Sequence, residues 1–71
     1  MRYAIVIEHG PTSYGAYVPD LPGCVAAAES REEVVELIRE AIEFHLKEMQ
    51  AEGLAVPEPT SSAEYVVVGA S

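Results

Sequence analysis

Tyr17-Val18-Pro19-Asp20-Leu21-Pro22-Gly23-Cys24 is the end of a strand running into a cluster of turn residues, and the rest of the chain is organised around it. Pro22 presets φ at the second position of a type II turn, and Gly23 supplies the positive φ needed at the third, so Leu21 to Cys24 is predicted to form that turn. A turn this tight joins neighbouring strands. Tyr14 to Val18 reads as the strand leading in and Cys24 to Ala28 as the strand leading out, although the alanines of the latter are poor β-formers. Further upstream, Arg2 to Glu8 alternates as a strand should, with Tyr3, Ile5 and Ile7 on one face and Ala4 and Val6 on the other. His9-Gly10-Pro11-Thr12-Ser13 is the intervening loop.

Downstream, Ser30 followed by Glu33 makes a capping box that opens a helix. Glu29, Glu32 and Glu33 crowd the positive end of its dipole. The helix runs to about Glu52 and stops at Gly53, a residue suited to the left-handed position just past a helix end. Val34, Leu37, Ile38, Ala41, Ile42, His45, Leu46 and Met49 recur at the spacing of one buried stripe, while Glu32, Glu36, Glu40 and Glu43 gather on the opposite face. Leu54 to Ala63 carries Pro57 and Pro59 and reads as a loop. Glu64 to Val68 reads as a last strand. The predicted class is α+β, in the order β-β-β-α-β. The first three strands form an antiparallel meander and the helix returns the chain, so that strand four runs parallel to strands one and three. This is a four-stranded mixed sheet with one helix on one face, a single domain over residues 1–71 with no internal repeat.

At 71 residues the chain holds one small core, and a domain of this size buries only about 60% of its unfolded surface. One cysteine excludes an internal disulfide and suits a reducing compartment, so a cytoplasmic location is expected. No secretory signal or membrane span is legible. A net charge of −8 repels phosphates, which argues against direct nucleic-acid binding and favours a basic partner. Strand one and strand four are apolar on both faces, yet a single helix covers only one face of a sheet. Ala4, Val6, Val66 and Val68 are therefore predicted to lie in an oligomer interface, of a homodimer or a dimer of dimers. The plainer reading is that they are scattered exposed apolar residues.

No catalytic set emerges. Cys24 with His9 or His45 lacks the spacing of a nucleophile and its base, and a thiolate needs a positive surrounding. Glu8, Asp20 and Glu64 sit at predicted strand ends without a metal-binding spacing. No phosphate loop, nucleophile elbow or zinc pattern is present, and the expectation is a non-enzyme without metal or cofactor. Tyr3, Tyr14, Tyr17 and Tyr65 fall on strands, where packing explains them better than base stacking. Partner contacts are expected at exposed Asp20 and Leu21 in the turn, and along Glu32, Glu36, Glu40 and Glu43.

The run Tyr17 to Cys24 resembles the central motif of the HicB-like antitoxins, a strand followed by Pro-Asp-Leu-Pro-Gly-Cys. Tyr3 to Ile7 resembles that family's first strand, Ser30-Arg31-Glu32-Glu33-Val34 its helix opening, and Gly53 to Pro59 its glycine-to-double-proline exit. The stretch Val25 to Ser30 departs from the usual pattern, which carries threonines and Gly-Asp-Thr after the cysteine. The resemblance implies a partial RNase H-like fold with strand four beside strand one. It also implies an antitoxin of a type II toxin–antitoxin pair, one that binds and blocks a small basic HicA-type mRNA-cleaving toxin. The sequence carries no C-terminal DNA-binding segment of the kind longer members have, so operator binding is not expected of it. The alternative functions are an orphan oligomeric protein-binding module of the same fold and, far behind, a metal-dependent nuclease.

Overall fold

In a computed structural model that describes residues 1–69, three short strands and one long helix are laid out as β1 (Val6–His9), β2 (Tyr14–Tyr17), β3 (Val25–Ala28) and α1 (Arg31–Ala51). The sheet is antiparallel in the order β1-β2-β3, with Ile7 opposite Ala16 and Ala16 opposite Ala26 in one row. Val6, Tyr17 and Val25 form the neighbouring row on the other face.

The Leu21–Cys24 turn forms as predicted. Gly23 has φ of 84° and the Cys24 amide donates to the Leu21 carbonyl at 3.1 Å. The preceding residues turn as well, with the Leu21 amide donating to Val18 and the Val18 amide to Cys24. This doubled reversal folds Leu21 inward until it is fully buried. The expectation of an exposed Leu21 is thereby corrected: the side chain is a core residue, packed with Ala16, Val18, Cys24, Val34 and Ile38. Half of that core, Val18, Leu21 and Cys24, comes from the turn region itself.

Both helix ends follow the sequence reading. Ser30 Oγ accepts from the Glu33 amide at 3.1 Å, and Gly53, at φ of 73°, lets its own amide reach Gln50 and the Leu54 amide reach Met49. Val34 and Ile38 are buried against the sheet, and Ala41, Ile42 and Leu46 pack beside them. Leu37, placed by its spacing in the buried stripe, is 42% exposed. It lies at the margin of the stripe, and a sheet of three strands is too narrow to cover it.

Two strand assignments change. Strand one begins at Val6 rather than Arg2: Val6 pairs with Tyr17, the last residue of β2, after which the Val18 amide bonds Cys24 on the β3 side and Pro19 has no amide hydrogen to extend the ladder. Residues 2–5 overhang the sheet, though Tyr3 and Ile5 still pack on its core. Glu64 to Val68 joins no sheet among the described residues, so the sheet has three strands and not the four predicted. Two contacts direct the approach to it: Tyr3 Oη donates to the Pro57 carbonyl, and Asp20 holds Thr60 and Ser61. Beyond them the chain stands off the domain. Its radius of gyration is 14.1 Å, against about 11 Å for a compact chain of this length. Its longest extent is 49 Å, whereas the helix accounts for only about 31 Å.

Candidate partner interface

Glu32, Glu36, Glu40 and Glu43 are all exposed on the face of α1 turned away from the sheet, as their spacing predicts. The Arg39–Glu36 ion pair among them, at 3.3 Å, lies in solvent at both ends and neutralises little of this face. At the border between this acidic face and the buried stripe stand two large apolar side chains, Leu37 and Phe44, the latter 67% exposed. They are seven residues apart and so share one side of the helix. A shallow hollow of about 340 Å³ beside Leu37 is walled by Glu32, Glu33 and Glu36. Phe44 was not singled out from the sequence. The available signal was its position off the buried stripe, where a phenylalanine has no core to enter. An exposed aromatic set in carboxylates suits a partner with a basic rim and an apolar pocket.

Asp20, the other predicted contact, is turned to an internal task. Its Oδ2 accepts from the Ser61 amide at 2.9 Å, and its Oδ1 accepts from Ser61 Oγ at 2.8 Å and from Thr60 Oγ1 at 3.3 Å. The bond from the Ser61 backbone, and then that from its hydroxyl, hold the carboxyl below the usual aspartate range. The structure therefore groups the four helix glutamates on one surface and places Asp20 and Leu21 elsewhere, one as an anchor and one in the core.

The groups weighed for chemistry stay apart. Cys24 is buried in the core, and burial pushes its thiol up from the ordinary value. His9 stacks on Tyr14 with ring centroids 4.1 Å apart, at the end of β2 opposite to the one where Tyr17 meets Val25, the neighbour of Cys24. Among the described residues no group of three or more His, Cys, Asp and Glu side chains comes close enough to hold a metal. No helix there is long and apolar enough to cross a membrane.

A second apolar surface lies at the β1 edge. A cleft of about 750 Å³ separates residues 1–5 from Pro59, Ser61, Ser62 and Ala63. Ala4, which lines the cleft, and Val6, at the start of β1, are half-buried. Past the cleft, Tyr65 is 97%, Val66 77%, Val67 95% and Val68 61% exposed. The Tyr3 phenol, on the same side, is raised above its usual range by burial and then by the Glu58 and Asp20 carboxylates.

Comparison with known proteins agrees with the motif reading. A family model described as "HicB_like antitoxin of bacterial toxin-antitoxin system" matches residues 3–68. The chain is 46% identical over 50 residues to a UPF0150 protein of Helicobacter pylori, a stretch covering 70% of this chain and 69% of that one. It is 46% identical over 48 residues to a UPF0150 protein of Archaeoglobus fulgidus, covering 66% of this chain and 70% of the other. An uncharacterized 14.9 kDa protein from the rep-hol intergenic region of Haemophilus phage HP1 is 33% identical over 66 residues; these are 93% of this chain but only half of the phage protein. No solved structure matches the chain.

Proposed function

This chain belongs to the HicB-like antitoxin family of bacterial toxin–antitoxin systems, and from that premise we propose that it binds and blocks a small basic mRNA-cleaving toxin of the HicA type in the cytoplasm. It acts by occupation, as a binding protein rather than an enzyme. The observation that carries the reading is the exposed helix surface on which Leu37 and Phe44 border the carboxylates of Glu32, Glu36, Glu40 and Glu43. Carboxylates steer a cationic protein into encounter, and the large apolar groups beside them supply the short-range affinity. With a net charge of −8 the chain competes with RNA for the same basic surface. In this reading residues 64–68 become the fourth strand of a partial RNase H-like sheet when the molecule is in its assembled, oligomeric form.

The test is co-expression with a small basic HicA-type protein, followed by capture and by an mRNA-cleavage assay. The chain is expected to co-purify with the toxin and suppress cleavage, with binding that weakens as salt is added. Phe44→Ala, at an exposed position that leaves the fold intact, is expected to weaken binding by about tenfold or more. Binding equal to wild type in that variant would remove the helix face from the interface. No capture at low salt would remove the toxin-blocking function.

A further inference from the structure

We propose that residues 57–61 are a strap latched at two points, by Tyr3 and by Asp20, which opens and closes as one unit and with it the cleft between residues 1–5 and 59–63. The proposal is independent of the toxin-blocking reading.

Residues 55–67 belong to no helix or strand. Among the described residues, the hydrogen bonds that tie them to the rest of the chain all run through two side chains. Tyr3 Oη donates to the Pro57 carbonyl, and the Asp20 carboxylate accepts from the Ser61 amide, from Ser61 Oγ and from Thr60 Oγ1. Both holders belong to the fixed part of the fold. The Tyr3 ring packs on the core, and Asp20 sits in the doubled turn beside fully buried Leu21. The strap is the part free to move. Val56, Pro57 and Pro59 are half-buried, but Glu58, Thr60 and Ser61 are exposed.

An exposed hydrogen bond contributes little by itself, because water competes for both partners. The two latch points reinforce each other through what lies between them. Pro57 and Pro59 fix φ at two of the five strap positions, so little backbone freedom separates the Pro57 carbonyl from the Ser61 amide. Once one point is made, the partners of the other are held near their mark, and the second forms at a high effective concentration. Loss of either point therefore releases both. Tyr3 lines one wall of the cleft of about 750 Å³ and Ser61 the other, so the latch residues are themselves part of what they hold together. With the latch open, one wall departs and Tyr3, Ala4 and Ile5 face solvent. Residues 64–68 continue from the strap, so the latch also sets the point from which they start.

The experiment measures backbone amide order parameters of the full chain by nuclear magnetic resonance, for wild type, Tyr3→Phe and Asp20→Ala. In wild type the Glu58, Thr60 and Ser61 amides are expected near about 0.85, the value of a rigid backbone, and in both variants below about 0.6, with the α1 amides unchanged. Tyr3→Phe keeps the packed ring and removes only the hydroxyl, yet it is expected to loosen Ser61 at the far point as much as Glu58. Asp20→Ala is expected to loosen Glu58 as much as Ser61. If Asp20→Ala disturbs the turn, Thr60→Ala with Ser61→Ala removes the hydroxyl donors from the exposed side, and Glu58 is read in the same way. In parallel, a nitroxide on Ser62→Cys, with buried Cys24 left in place, is expected to broaden the amide signals of Ala4 and Ile5 and to lose that effect when Tyr3→Phe is added. Substitutions that each loosen only their own end would overturn the latch and leave two separate contacts. A strap already mobile in wild type would overturn it outright.

Discussion

Asp20 shows how one carboxylate can be read in two ways. In sequence it is an exposed acid in a turn; in the fold it is the clasp of the C-terminal segment, bonded to residues about forty positions away. That separation is why the contact was illegible: local spacing reports turns and caps, and nothing in Pro19-Asp20-Leu21 names Ser61. The depressed carboxyl pKa gives the clasp a pH dependence of definite sign. A group whose folded value lies below its ordinary one, here 3.8, stabilises the clasp fully above that pH and loses the contribution as pH falls through the folded value. The Ser61 amide proton is therefore expected to titrate below pH 3.8 in nuclear magnetic resonance spectra of the wild type and to show no such step in Asp20→Ala. Helix resonances should be unaffected by that substitution. A Ser61 shift that titrates identically in both proteins would show that the carboxylate is not the acceptor.

At the scale of elements, most of the fold was legible because its signals are local. Ser30 and Gly53 marked the helix ends, Pro22 and Gly23 marked the turn, and each performs the backbone task assigned to it. Ser30→Ala removes the acceptor of the Glu33 amide and is expected to cost about 1 kcal/mol in urea unfolding, with the midpoint shifted and the slope unchanged. A midpoint equal to wild type would mean that water caps this end equally well. The strand readings succeeded only as far as a partner exists. Arg2 to Ile5 and Glu64 to Val68 have strand-like sequences, but alternation reports what a segment can do and not which neighbour it meets. Leu37 failed the reading for a related reason: a helical period gives the direction of a stripe, while its width depends on how many strands lie beneath it. The helix glutamates were legible as a surface, since their exposure follows from the period alone.

For the whole molecule, the dimensions decide between a finished domain and a component. Among the described residues six are buried in the core, and four of the five positions from Glu64 to Val68 are large apolar side chains that are mostly exposed. A chain so small, with one cysteine and no metal cluster among its described residues, is of the size at which association commonly adds stability. Its two exposed surfaces differ in kind. The α1 face is acidic with an exposed aromatic at its border, whereas residues 65–68 present an apolar surface.

The measurement closest to the central claim is amide hydrogen exchange of the full chain at two concentrations, one above and one far below the dissociation constant of the dimer. The arm, residues 64–68, and the overhang, residues 2–5, are expected to exchange at least about tenfold more slowly at the higher concentration, while the amides of α1 keep the same rates at both. Equally fast exchange of the arm at the two concentrations would contradict the account, because it would leave these residues without a sheet to complete.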